Sequence, residues 1–381
     1  MKKIITIIGA RPQIIKASAI SRAINNSFSN LLEEIIVHTG QHYDENMSEI
    51  FFSEMDIPLP KYNLKAGSSS HATQTSEIMK GIEEIIISEK ADGILIYGDT
   101  NSTLAGALAA AKIHVPVFHV EAGLRSFNKS MPEEINRILS DHSSTLLFCP
   151  TETALRNLKH EGFSLHHSEK ATIDSPNVYL CGDIMLDNSL YFSQISDSKS
   201  TILESSQLEE NNFILVTIHR NANTDDKNNL NSIFSALLQI QQETKLKIVL
   251  PLHPRTKKMM DEYLEENIFN ELAQNKNIQI IPPAGFLDII SLEKNAALLI
   301  TDSGGLQKEA FFFKKPCVIL RPQTEWIEIV ENGNAILANA DKQKIIESTL
   351  LLLNKVDFTY PELFGDGKAS EFILTKICEN L

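Results

Sequence analysis

Three carboxylates and two arginines fall within one short stretch of this 381-residue chain. Glu121 lies in His119-Val120-Glu121-Ala122-Gly123-Leu124-Arg125, and Glu133 and Glu134 lie in Met131-Pro132-Glu133-Glu134-Ile135-Asn136-Arg137. Clustered carboxylates suit proton transfer, which needs an acid and a base at fixed positions. A carboxylate between Val120 and Ala122, directly after an apolar run, is costly to bury without a partner, so Glu121 is read as functional. For Glu133 and Glu134 the competing reading is favourable charge in the first turn of a helix started by Pro132. Asp99, in Gly98-Asp99-Thr100-Asn101-Ser102, either joins the set or caps a helix beginning near Thr103.

Other residues suit an anion. Arg11 and Lys16 sit in Gly9-Ala10-Arg11-Pro12-Gln13-Ile14-Ile15-Lys16. There a glycine permits a tight turn, Pro12 fits a first helical turn, and the helix start favours negative charge. Thr217-Ile218-His219-Arg220 and Pro251-Leu252-His253-Pro254-Arg255 each put a histidine and an arginine after an apolar run. A lone histidine is more often structural; two in one half of a chain make a site more plausible. Thr301-Asp302-Ser303-Gly304-Gly305-Leu306-Gln307-Lys308-Glu309-Ala310 is the sharpest signal. Ser303, Gly304 and Gly305 before a helix offer a hydroxyl and backbone N–H groups to a phosphate. Glu309, about one turn into that helix, is placed for ribose hydroxyls. The alternative is a glycine-rich turn with a serine cap.

Buried strands must position these residues. Apolar runs at 4–8, 35–38, 93–97, 117–120, 146–149 and 178–181 form one series, and runs at 213–218, 247–251, 278–281, 298–301 and 317–320 form a second. Helix-like segments separate them. This alternation predicts an α/β protein of two Rossmann-like domains with parallel sheets, whose ligands sit beyond the carboxyl ends of the strands. The expected domains are residues 1–183 and 184–363, with a hinge near 183–188. A terminal helix within about 364–381 is expected to return to the first domain. The polar segment 164–177 reads as a loop, and 189–212 as a surface helix plus loop.

Composition narrows the class. At 43% hydrophobic and 22% charged the chain is globular, and a net charge of −14 argues against nucleic-acid binding. No run approaches a membrane span. The apolar start is too short for a signal peptide and reads as a first strand. Cys149, Cys181, Cys317 and Cys378 lack metal-ligand spacing. They read as buried thiols in a reducing compartment, the cytoplasm.

Taken together the motifs resemble those of the non-hydrolysing UDP-N-acetylglucosamine 2-epimerases over nearly the full length. The matching strings are Gly-Ala-Arg-Pro (9–12), Gly-Asp-Thr (98–100), His-Val-Glu-Ala-Gly-Leu-Arg (119–125), Pro-Glu-Glu-Ile-Asn-Arg (132–137), Pro-Thr-Glu (150–152), Thr-Asp-Ser-Gly-Gly (301–305) and Gly-Asp-Gly-Lys-Ala-Ser (365–370). The resemblance implies the GT-B architecture, with its interdomain cleft, a UDP-sugar substrate, no metal and no redox cofactor, and a homodimer. It implies catalytic roles for Asp99, Glu121, Glu133 and His219. It implies nucleotide-binding roles for Arg11, Ser303, Gly304, Gly305 and Glu309, with Lys16 beside the site. Glu134, Arg137 and His253 are further candidates for holding substrate. The implied reaction is anti elimination of UDP across C1–C2 to 2-acetamidoglucal, then re-addition with the proton on the other face.

The chain also departs from the family pattern. Gln41-His42 is followed by Tyr43-Asp44-Glu45-Asn46, and no arginine stands near Ser68 to His71, so activation by a second substrate molecule is not expected. Thr324-Glu325-Trp326-Ile327-Glu328 stands where many members have Thr-Glu-Arg-Pro, and looks like the branch acting on UDP-2,3-diacetamido-glucuronate. That sugar, a hydrolysing relative and a GT-B glycosyltransferase are the competing readings.

Overall fold

The computed structural model describes residues 1–41 and 57–381; the altered stretch after Gln41 lies outside them. The chain forms two compact units, Met1–Asn188 with Glu362–Leu381, and Ser189–Pro361.

Unit 1 is built on seven parallel strands, β1 (Lys2–Ile8), β2 (Leu32–His38), β3 (Tyr62–Asn63), β4 (Gly93–Tyr97), β5 (Val117–Val120), β6 (Leu146–Cys149) and β7 (Asn177–Leu180). Their order across the sheet is β3-β2-β1-β4-β5-β6-β7. The strands read as unbroken apolar runs because helices cover both faces of a parallel sheet. On one face Ile5, Ile7, Ile35 and Val37 pack with Ile78 and Ile82 of the helix His71–Glu89 and with Ala105 and Ala109 of the helix Asn101–Lys112.

The second sheet holds β8 (Phe213–Thr217), β9 (Lys247–Pro251), β10 (Ile278–Ile281), β11 (Leu298–Thr301), β12 (Cys317–Ile319) and β13 (Ala335–Leu337), in the order β10-β9-β8-β11-β12-β13. Its core joins Ile214, Val216, Ile248, Leu250, Leu298 and Ile300 to Ile233, Phe234 and Leu237 of the helix Lys227–Thr244.

Residues 164–176 form neither helix nor strand. The segment expected to be a surface helix differs. The helix Ile184–Lys199 carries the chain from one unit to the other, and its unit 2 part is half buried. Phe192 meets Phe286 edge-on at 5.0 Å. Ser196 Oγ donates to the Leu287 carbonyl at 2.7 Å. That backbone partner satisfies the Ser196 hydroxyl and lets it be buried. In unit 1, Asp187 accepts from the Ala369 N–H (3.1 Å), the Ser370 N–H (2.8 Å) and Ser370 Oγ (2.7 Å), which secures the helix Ala369–Asn380. Among the described residues no helix is long and apolar enough to cross a membrane.

Candidate active site

In unit 1 the strand order reverses between β1 and β4, the point where an open parallel sheet leaves room for a ligand. Arg11 and Lys16 follow β1, Asp99 follows β4, and Glu121 follows β5. The β1 turn lies so close to its neighbours that a Cβ on Gly9 would stand 2.2 Å from both Ser102 Oγ and Thr39 Oγ1. Gln13 ties the two strand ends together. Its Oε1 accepts from the Gly9 N–H at 2.8 Å, and its Nε2 donates to the Tyr97 carbonyl at 2.9 Å. Gln13 was not among the expected site residues; its only signal was its place in the first motif. Arg11 is exposed at the first position of the helix Arg11–Ala23.

Asp99 is not a helix cap. Thr100 caps the helix Asn101–Lys112, its Oγ1 accepting from the Thr103 N–H. The Asp99 carboxylate pairs with Arg137 Nη2 at 2.6 Å. Burial raises the Asp99 pKa; Arg137 opposes this, and the charges of Glu121 and Glu133 raise it further. Glu121 forms an ion pair with Lys16. It holds a φ of +70°, a left-handed conformation that costs a non-glycine residue about 1–3 kcal/mol and concentrates at functional sites. Lys16, Asp99, Glu121, Glu133 and Arg137 thus share one electrostatic cluster, with Glu133 exposed in the first turn of the helix Pro132–Asp141.

Glu134, next in sequence, has the opposite fate. It is 1% exposed and accepts from the Ser126 N–H, the Phe127 N–H and Arg137 Nη1, each at 2.9 Å. Its oxygens shape that turn and hold Arg137. The difference between the two follows from helical phase: adjacent residues point about 100° apart, so Glu134 turns inward while Glu133 stays exposed.

In unit 2 the strand order reverses between β8 and β11. His219 follows β8 and Ser303 follows β11. Asp302, fully buried, joins them. It accepts from the His219 N–H (3.1 Å), the Arg220 N–H (3.0 Å) and Asn223 Nδ2 (3.1 Å), and its Oδ1 lies 3.2 Å from His219 Nδ1. It orients the half-exposed His219 ring. Asp302 was quoted within its motif but not singled out.

Ser303 does cap the helix Gly304–Phe312, accepting from the Leu306 N–H at 3.4 Å. A cap and a phosphate site are compatible, because the first-turn N–H groups of a helix have no partner within it. A Cβ on Gly304 would stand 3.8 Å from Arg220 Nη2 and 3.7 Å from Arg321 Nη1, so two guanidiniums flank the helix start. A Cβ on Gly305 would stand 3.8 Å from Glu309 Oε2, so that carboxylate reaches back to the same place. Arg321 is held by Glu325 in a two-pronged pair, at 2.9 and 2.8 Å.

His253 also stands at a helix start. It caps the helix Pro254–Tyr263, Nδ1 accepting from the Arg255 N–H at 3.2 Å. No hydrogen bond among the described residues joins it to the His219–Asp302 group. Trp326 is buried, with Lys308 Nζ 4.1 Å above its ring. Among the described residues no three His, Cys, Asp or Glu side chains converge on a cation site.

Comparison with known proteins gives the geometry a context. A family model described as UDP-N-acetylglucosamine 2-epimerase matches residues 25–378. A UDP-N-acetylglucosamine 2-epimerase homolog of Methanococcus maripaludis is 47% identical over 380 residues, covering 100% of each chain. A UDP-2,3-diacetamido-2,3-dideoxy-D-glucuronate 2-epimerase of Pseudomonas aeruginosa is 48% identical over 371 residues, covering 97% of this chain and 98% of its own. The crystal structure of the Methanocaldococcus jannaschii UDP-GlcNAc 2-epimerase, in complex with UDP-GlcNAc and UDP, superposes with a TM-score of 0.83 at 41% identity, covering 98% of this chain and 99% of that one.

Proposed function

The chain belongs to the UDP-N-acetylglucosamine 2-epimerase family, and from that premise we propose that it is a non-hydrolysing isomerase interconverting UDP-N-acetylglucosamine and UDP-N-acetylmannosamine. The observation that carries the reading is the pair of carboxylates, Asp99 and Glu121, at neighbouring strand ends, each held by its own cation.

The C2 proton of the sugar is hardly acidic, so its removal is coupled to departure of UDP from C1. The bond from C1 to the β-phosphate oxygen breaks as a base takes the C2 proton from the opposite face, leaving the 2-acetamidoglucal. Re-addition of UDP to C1 with a proton delivered to the other face of C2 completes the inversion. Groups are therefore needed on both faces of the ring, and Asp99, Glu121 and Glu133 form that set. The departing diphosphate gains negative charge. In this reading His219, oriented by Asp302, and the start of the helix Gly304–Phe312 receive it, with Arg11 as a further cation. A glycosyltransferase needs one base and has no use for the unit 1 cluster.

Proton NMR of UDP-N-acetylglucosamine in heavy water tests the reading. Epimerisation places deuterium at C2 of both sugars. Accumulating free N-acetylmannosamine identifies a hydrolase instead, and an inert sugar that turns over only with an acceptor identifies a transferase. A second reading, a UDP-2,3-diacetamido-uronate substrate, draws on the 48% identical relative and on Trp326. It predicts turnover of that nucleotide alone.

Ser303→Ala and Glu309→Ala are expected to weaken UDP binding about tenfold each, the scale of one lost hydrogen bond in a ligand site. Glu309 is placed for the ribose, which is bound alike in ground and transition states, so its loss should appear in KM more than in kcat; the Ser303 loss, at the helix start that receives the departing diphosphate, should reach kcat as well. Calorimetry with UDP alone checks this, and unchanged affinity in both variants rejects the phosphate-site assignment.

A homodimer is part of the same proposal. Unit 1 carries an apolar groove of about 550 Å³ lined by Met79, Leu104, Leu108 and Ile135, and Ile135 and Leu139 are exposed on the helix Pro132–Asp141. An apolar patch of this kind supports a second copy as its cover. The four free cysteines support the cytoplasm as the compartment.

A further inference from the structure

The strand ends that carry Asp99 and Glu121 adopt uncommon backbone conformations. Gly98, Glu121 and Gly123 have φ of +64°, +70° and +79°. Such turns persist only where the surroundings over-determine them. Here a Cβ on Gly123 would stand 2.4 Å from the Ala154 carbonyl oxygen. On Gly98 it would stand 3.3 Å from Glu121 Oε2 and 3.4 Å from Lys16 Nζ, so the Glu121–Lys16 pair lies against the Gly98 backbone.

Beneath these turns lies a fully buried side chain that the mechanism does not use. His119 Nε2 is 2.8 Å from the Gly98 carbonyl oxygen, and Nδ1 is 2.7 Å from Asp141 Oδ1. A carbonyl only accepts, so Nε2 donates. The other oxygen of Asp141 takes the Gly123 N–H (3.1 Å) and Arg125 Nη1 (2.7 Å), which marks Asp141 as an acceptor throughout, so Nδ1 donates as well. Arg125 is held in turn by Glu161, which His142 also approaches at 3.5 Å. One ring thus bonds the backbone immediately before Asp99. Through Asp141 it also bonds the backbone two residues after Glu121.

We propose that His119 is a positioning residue for the epimerisation, a two-ended clamp that sets the separation and aim of the Asp99 and Glu121 carboxylates. The inference rests on the acid/base reading of those two groups. A side chain donating only one hydrogen bond cannot replace it, since each end governs a different carboxylate.

Two isosteric variants separate the ends. In His119→Asn the amide takes the place of Nδ1, keeping Asp141 and releasing Gly98. In His119→Gln it takes the place of Nε2, keeping Gly98 and releasing Asp141. Rates are measured per UDP-binding site, so unfolded protein does not count. Each variant is expected to lose on the order of 100-fold in kcat, the cost of about 1 Å of misplacement, with KM and UDP affinity unchanged. His119→Asn should add little to the loss in Asp99→Asn, because both act through one carboxylate. Wild-type kcat per site in either single variant, or fully multiplicative losses in the double variant, would overturn the proposal. A wild-type enzyme that fails to epimerise any UDP-sugar is a separate result, and sinks the functional reading itself.

Discussion

Glu121→Gln and Asp99→Asn will each bind UDP as the wild type does and turn over at least about a hundredfold more slowly, the usual scale for a lost acid or base. The replacements are isosteric, so the strand ends keep their shape. What changes is charge within a cluster where each group sets its neighbour's state. Burial raises the Asp99 pKa, Arg137 lowers it, and Glu121 raises it. Removing the Glu121 charge therefore lowers the Asp99 pKa. If Asp99 acts as a base, the acidic limb of the residual pH–rate profile moves to lower pH in Glu121→Gln. Stopped assays with UDP titration alongside separate turnover from binding. Normal turnover in either variant would remove that residue from the acid/base set.

The second large effect is on stability. Arg125→Met should destabilise unit 1 by roughly 3–5 kcal/mol, the cost of breaking a buried ion pair from one side. The guanidinium side chain is 1% exposed. It donates to Asp141 Oδ2 at 2.7 Å and to both Glu161 oxygens at 2.6 and 2.7 Å. Its loss strands the buried Asp141 carboxylate with only His119 to neutralise it. The pH dependence has a definite sign. Burial alone would raise the Asp141 pKa, but the His119 and Arg125 charges outweigh it and hold it below the ordinary aspartate value. A depressed carboxylate contributes stability above the unfolded-state pKa of about 4 and loses it as pH falls through the folded value. In Arg125→Met the Asp141 pKa is less depressed, so this contribution is smaller and its loss on acidification is complete at a higher pH. Urea unfolding followed by far-ultraviolet dichroism measures both effects. A shift below about 1 kcal/mol at neutral pH would show that Arg125 is a surface-like pair and not a buried anchor.

Much of this was legible in the sequence, for a reason that also sets its limit. Strands buried on both faces must be continuous apolar runs, so β4, β5, β6, β9 and β11 match their expected bounds, as does the partly exposed edge strand β10, and the candidate site residues follow strands, where the loops of a parallel sheet leave room for a ligand. The edge strands β3 and β13 escaped, being only two and three residues long with too few apolar positions to register. Local order along the chain likewise determined which strings could bind phosphate or move protons. It could not divide roles between neighbours. Thr100, not Asp99, caps its helix, because only the residue with the extended cap backbone can turn its side chain onto the first-turn N–H groups. Glu133 faces the cluster while Glu134 is consumed inside it. Nor could it pair residues far apart. His219 meets Asp302 across 83 positions because β8 and β11 are neighbours in the sheet. His119 reaches Gly98 because β4 lies beside β5, and reaches Asp141 because the helix Pro132–Asp141 ends at the His119 ring. Such contacts depend on which strands lie side by side, and that order is a property of the packed sheet, not of any one segment.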